Sequence, residues 1–146
     1  MTTSDNIVDY ARSWIGTRWL HQGRTRNGID CAGLLVETAR HFELPYEDLQ
    51  GYGRQPDRSF YRQIKKYTLP VRPRVPIHGA IGIFNDTIMP CHTGVFAVDS
   101  DGKVTVIHSE SWPKRRVHEQ GYDNSSQSLR DRLVDIRLFK GVTYVQ

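Results

Sequence analysis

The 146-residue chain lacks any apolar run approaching the roughly 18 residues that would span a membrane. It opens with no basic stretch followed by an apolar one, so neither an integral membrane segment nor a signal peptide is expected. Cysteine is scarce: Cys31 and Cys91 are too few for a disulfide framework and lack the paired spacing of a zinc finger or ribbon. Their count is compatible with synthesis in a reducing cytoplasm. There is no internal repeat, low-complexity tract or long linker, which leaves residues 1–146 as a single domain. Nucleic-acid-binding motifs are absent too, because Arg72, Arg74, Lys114, Arg115 and Arg116 are scattered through loop-like sequence rather than set on one helix face. The net charge of +4, from 20 basic and 16 acidic residues, describes a mildly basic surface that would assist contact with an anionic polymer or another protein.

Two kinds of periodicity are present, in order. Thr3 or Ser4 can cap a first helix over Asp5 to Ile15, with Ile7, Val8, Ala11, Trp14 and Ile15 on one face and Gly16 at its end. In Asn27-Gly28-Ile29-Asp30-Cys31-Ala32-Gly33-Leu34-Leu35, Asp30 is a good N-cap and Cys31 takes the first helical position. Cys31, Leu34, Leu35, Thr38, Ala39 and Phe42 then form one stripe of a 3.6-residue period. This helix should pack on the first. A polar loop with Gly51, Gly53 and Pro56 follows, then a short third helix from Asp57 or Ser59 to Lys66, and an extended crossing through Pro70, Pro73 and Pro76. Beyond it the period changes to two. Strands are predicted over Ala80 to Phe84, Thr93 to Val98, Lys103 to His108 and Leu133 to Phe139, with a weaker one around Arg115 to His118. Helices first and strands later indicate an α+β fold.

The central hairpin decides where two histidines go. If the loop of Asp99-Ser100-Asp101-Gly102 is Ser100 to Gly102 with Gly102 left-handed, Gly94 faces His108. His92 then lies on the same sheet face as His108, diagonally displaced by about 7 to 8 Å between backbones. A two-residue Asp101-Gly102 turn would shift the register and separate the histidines to opposite faces.

A cysteine on an apolar helical stripe is ordinarily an inert small hydrophobe. At a helix N-terminus its thiolate, the nucleophilic form, is favoured by the positive end of the helix dipole. The run GTRWLHQGRTRNGIDCAGLL, Gly16 to Leu35, resembles the nucleophile segment of the NlpC/P60 cell-wall peptidases, papain-like cysteine enzymes. Its R-W-L-H-Q-G-R form looks most like the phage-encoded branch. The resemblance covers about residues 5 to 110 and implies N-terminal helices packed on a central antiparallel sheet, with the nucleophile at a helix N-terminus. It implies Cys31 as nucleophile, His92 of Cys91-His92-Thr93-Gly94-Val95 as general base, and His108 of Val106-Ile107-His108-Ser109 as the group that orients it. Zinc held by Cys31, Cys91, His92 and His108 is the rival arrangement, and it requires Cys91 to face the site although it neighbours His92 on a strand. His21, His41, His78 and His118 read as surface or loop histidines, His21 preceding the nucleophile in its own loop.

The reaction so implied is thiolate attack on an amide, a thioester intermediate and hydrolysis, with the Cys31 N–H helping to hold the oxyanion and no metal or organic cofactor. The implied substrate is a peptidoglycan stem peptide, cut between D-glutamate and diaminopimelate, and Asp30 is a candidate for binding its amine. Two positions depart from the family pattern. Trp19 stands where a tyrosine hydroxyl would assist the oxyanion, leaving its indole N–H or His21 to substitute, and His78-Gly79-Ala80 replaces a Gly-Asp pair. The same resemblance implies a component of a phage tail or tail-like particle, made in the bacterial cytoplasm, whose partners are other tail-tip proteins. The alternative is a structural tail-tip protein that retains the fold with little activity; a papain-like amidase or acyltransferase acting on another substrate is a third reading.

Overall fold

A computed structural model describes residues 1–48, 52, 58–86, 89–123 and 128–144. Strand β1 (Thr2–Thr3) runs straight into helix α1 (Ser4–Arg12), where the Thr3 hydroxyl accepts the Asn6 N–H and the Asn6 side chain accepts the Thr3 N–H, a reciprocal capping box. The helix stops short of the predicted Ile15, which is exposed, although Trp14 is buried. Gly16, at φ +93°, turns the chain and gives its N–H to the Val117 carbonyl. Residues 17–19 then run along the sheet edge, with the Val117 N–H donating to the Thr17 carbonyl and the Trp19 N–H to the Arg115 carbonyl. Strand hydrogen bonds have taken over from helical ones.

A short antiparallel pair, β2 (Arg24–Thr25) and β3 (Gly28–Ile29), delivers the chain to helix α2 (Cys31–His41). The stripe Cys31, Leu34, Leu35, Thr38 and Ala39 is buried as its period requires, but Ala32, Gly33 and Val36 are buried too. Gly33 is covered by the loop before the helix, where a Cβ would sit 2.3 Å from the Gly23 carbonyl oxygen, so only glycine lets that loop lie against the first turn; Ala32 and Val36 line a small cavity with Tyr46, Phe60 and Ile64. Helix α3 (Arg58–Lys66) ends as predicted, while Gly51, Gly53, Pro56 and Asp57 lie outside the described residues.

Strand β4 (Thr68–Pro70) occupies the start of the stretch predicted as an unpaired proline-rich crossing. Pro70 is tolerated because β4 is an edge strand, pairing only with β9. The remaining strands are β5 (Ile81–Asp86), β6 (Met89–Val98), β7 (Val104–Glu110), β8 (Arg116–Gly121), β9 (Leu133–Phe139) and β10 (Val142–Thr143). They form a six-stranded antiparallel sheet in the order β4-β9-β5-β6-β7-β8, and β10 pairs in parallel with β1. One face carries Ile81, Ile83, Cys91, Val95 and Ile107 against α1 and α2; the other carries Val71, Phe84, Phe96, Val106 and Leu129. The fold is α+β, and no helix among the described residues is long and apolar enough to cross a membrane.

Three observations settle the register of the hairpin. Val98 pairs with Val104, the Asp99 N–H donates to the Lys103 carbonyl, and Gly102 sits at φ +82°. The loop is the three-residue one, so Gly94 faces His108.

On β9, one strand in from the β4 edge, Asp135 is buried with its carboxylate accepting from Tyr61 (2.7 Å), Arg72 (3.0 Å) and the Ile136 N–H (2.9 Å). Burial alone would favour the neutral acid, but the hydrogen bonds from Tyr61 and Arg72 outweigh it and hold the pKa below its ordinary value. A depressed carboxylate pKa adds stability above the unfolded-state value and loses it as the pH falls through the folded-state value. Acid titrations of folding, followed by circular dichroism, are therefore expected to show a shallower acid limb in Asp135→Asn than in the native chain. Parallel limbs would overturn this assignment.

Candidate active site

Asp30 closes the loop onto α2 with both carboxylate oxygens. Oδ1 accepts the Gly33 N–H at 2.8 Å, which is the N-cap bond, and Arg24 Nη1 at 3.0 Å. Oδ2 accepts the Gln22 N–H at 2.8 Å and the Tyr52 hydroxyl. Arg24 is itself held by Asp48 through Nε at 2.9 Å and reaches the Tyr52 oxygen through Nη2 at 2.9 Å. Four donors match the roughly four acceptor directions of a carboxylate, so a substrate amine would have to displace one of them. Gln22, at φ +58°, is bent into the left-handed region to place its N–H there. Burial and the Asp30 contact both raise the Tyr52 phenol's pKa, which keeps it a donor.

On the sheet, the hairpin register brings the two predicted histidines together: His92 Nε2 lies 2.7 Å from His108 Nδ1. His108 Nε2 lies 2.9 Å from the Oε1 of Gln120 on β8. Because Oε1 only accepts, His108 carries its proton on Nε2 and offers a lone pair at Nδ1. His92 must then donate from Nε2, which leaves its Nδ1 as the basic nitrogen. Burial lowers both imidazole pKa values, His92 to about 3, with the Arg132 charge a further cause for His92 and the neighbouring imidazole for His108. The resting pair is neutral. Gly94 makes the close approach possible, since a Cβ there would meet Val106 Cγ1 at 2.6 Å and His108 Cβ at 3.0 Å.

Cys31 sits at the start of α2, 7% exposed. Its carbonyl accepts the Thr93 hydroxyl at 3.2 Å, and Ser109 likewise donates to the Ile29 carbonyl at 2.6 Å. The residues next to both histidines thus tie the turn that bears Cys31 to β6 and β7, each hydroxyl donating to a backbone carbonyl. Alternation places Thr93 on the α2 side and His92 with Phe84 and Phe96 on the other. Cys91, on the α2 side, packs in the apolar core and not beside His92, so the four-ligand zinc arrangement lacks the orientation it required.

Trp19 and His21 are half-buried and 6.4 Å apart between ring centroids, and His21 stands edge-on to Tyr52 at 5.5 Å. A phenol thus does reach this loop, from position 52 rather than 19. His78 is structural: its Nδ1 accepts the Val98 N–H at 2.9 Å and its Nε2 meets Asp5 at 2.8 Å. The sequence puts His118 on the surface or in a loop, and the structure does not. It lies in β8 directly opposite His108, with ring centroids 4.5 Å apart, and its side chain is 16% exposed. The sequence does not single out Tyr52, Arg24, Gln120, Glu110 and His118, because each meets its partner across a turn or from another segment and at no helical or strand period.

No known family model matches the sequence, and no curated protein does. Solved structures do match in shape. An NlpC/P60 family protein from Bacillus cereus superposes with a TM-score of 0.69 at 14% identity over 94% of this chain and 40% of that one. NlpC1 from Trichomonas vaginalis gives 0.70 at 12% identity over 93% of this chain and 44% of that one. The NlpC/p60 domain of the peptidoglycan hydrolase SagA gives 0.61 at 14% identity, covering 94% of this chain and 98% of the domain. The chain spans about two-fifths of the B. cereus protein's length and nearly all of the SagA domain. At these identities the likeness shows the fold, and the fold is that of the NlpC/P60 structures.

Proposed function

We propose that the chain is a cysteine peptidase that hydrolyses stem-peptide amides of peptidoglycan, of the D-glutamyl-diaminopimelate type, as part of a phage tail or tail-like particle. The observation that carries this reading is the His92–His108–Gln120 hydrogen-bond chain, which leaves one nitrogen of His92 basic on a strand tied to the turn that bears Cys31. Cys31 attacks the carbonyl, its proton passes to His92 Nδ1, and His92 returns it to the leaving amine. Water activated by His92 then hydrolyses the thioester and frees the thiol. The resemblance of Arg18-Trp19-Leu20-His21-Gln22-Gly23-Arg24 to phage-encoded relatives favours delivery by a particle, after synthesis in the bacterial cytoplasm. The second reading, a tail-tip protein with the fold and little activity, is favoured by Trp19 in place of a tyrosine.

Digestion of purified muropeptides, read by mass spectrometry, separates the two. A cut stem-peptide amide supports the peptidase; no cut by well-folded protein across several wall types supports the structural role. Antibody probing of purified particles tests the location, and absence from them would count against both tail readings. The proposed pairing of thiol and imidazole has its own expected result. Iodoacetamide should alkylate Cys31 at neutral pH at least about tenfold faster in the native chain than in His92→Ala, since the neutral imidazole takes the thiol proton as the sulfur attacks. Equal rates would break the proposed pairing.

A further inference from the structure

The face of the sheet that carries His92 and His108 continues outward to residues that the peptidase reading does not use. Glu110 follows His108 by two positions on β7, so both side chains leave the same face. His118 is the cross-strand partner of His108 on β8. One ligand atom from each of His108, Glu110 and His118 lies within 4.8 Å of the others, and His118 Nε2 stands 3.3 Å from Glu110 Oε1. That nitrogen is buried, and the Glu110 carboxylate is the partner it faces. Two residues spaced by one on a strand, with a third directly across, present two imidazoles and a carboxylate to a single point. This is the donor set of a three-ligand zinc site with an open fourth position. Glu110 and His118 are 18% and 16% exposed at their side chains, which gives an ion a way in.

We propose that His108, Glu110 and His118 bind a divalent transition metal of the zinc class, and that this ion switches the candidate active site off. The binding claim stands by itself; the switching claim rests on the peptidase reading. Its mechanism follows from the hydrogen-bond chain. A metal on His108 Nε2 displaces Gln120 and leaves the ring proton on Nδ1, where it can only be donated to His92 Nε2. The His92 proton is thereby driven to Nδ1, the nitrogen that must be empty to receive the thiol proton. A metal on His108 Nδ1 instead breaks the 2.7 Å bond to His92. The first position occupies the basic nitrogen, and the second frees the His92 tautomer as loss of His108 would; both lower activity.

The test is titration of the full chain with Zn2+ by calorimetry, repeated with Co2+ by visible absorption. The native chain and Cys31→Ala should each take up one equivalent without sulfur-to-cobalt charge transfer. His118→Ala and Glu110→Gln, checked for folding by circular dichroism, should bind about a hundredfold more weakly or worse, because loss of a ligand costs no less than loss of an outer-shell partner. No uptake by the native chain overturns the site. Uptake that survives both ligand variants but disappears with Cys31→Ala also overturns it, and places the ion on the thiol. In a muropeptide assay Zn2+ should inhibit the native chain and a chelator should restore it. If the native chain cleaves nothing, the titration still decides the metal site, so failure of the peptidase reading and failure of this one are distinguishable.

Discussion

Cys31→Ala is expected to abolish muropeptide cleavage, with a loss of at least about 10⁴-fold, because no other group in the proposed mechanism can form the thioester. His92→Ala should fall nearly as far: without its base the buried thiol keeps its proton, and without its acid the amine is a poor leaving group. His108→Ala should retain more activity, about a hundredth of native, since His108 only fixes the tautomer of His92. The double variant Cys31→Ala with His92→Ala should lose no more than Cys31→Ala alone, because groups that act as one unit are not additive. Rates are read from product peaks in a timed digestion, with thermal unfolding as a check on folding. Cleavage by Cys31→Ala at more than about 1% of native would remove the thiol from the mechanism. Substantial activity in His92→Ala would remove the imidazole.

What the sequence disclosed of this site follows the range of the interactions. Asp30 and Cys31 were legible because capping is local: the donor and acceptor lie three residues apart. The His92–His108 pair was legible because a tight turn fixes the register of both strands, and the left-handed Gly102 marks which turn forms. His118 fell at the end of a weakly predicted strand, yet nothing local told that this strand would lie beside β7 with His118 opposite His108. Strand β4 was missed for a related reason: Pro70 argues against a strand in general, and only an edge position removes the objection. Tyr52 reaches Asp30 from 22 positions away, and Arg24, on β2, is also held by Asp48 from 24 positions away, so the convergence leaves no period to read. Ile15 is the opposite error, a helical period continued past the point where Gly16 hands the chain to the sheet edge.

The other large effect belongs to stability. Asp30→Ala removes the N-cap of α2, which costs about 1 kcal/mol in an ordinary helix. It also leaves the guanidinium of Arg24, 13% exposed, with Asp48 but without Asp30, and strips the Gln22 N–H and the Tyr52 hydroxyl of that acceptor. Removing one partner of a buried pair costs about 3–5 kcal/mol, and that term should dominate. A fall in melting temperature of roughly 10 °C is therefore expected. Asp30→Asn isolates the charge, since asparagine caps a helix as well as aspartate and its carbonyl still accepts one or two of the four donors. It should lose less than half as much. Asp48→Asn should cost less again, because Asp48 is more exposed than Asp30, 19% against 5%, and caps no helix. The order Asp30→Ala, Asp30→Asn, Asp48→Asn by melting temperature is the check. Equal small losses in all three would mean that the Gly-Ile-Asp-Cys segment is held by its glycine contacts rather than by its carboxylate. A large loss confined to the two Asp30 variants would assign the aspartate before Cys31 to holding the nucleophile's turn in place.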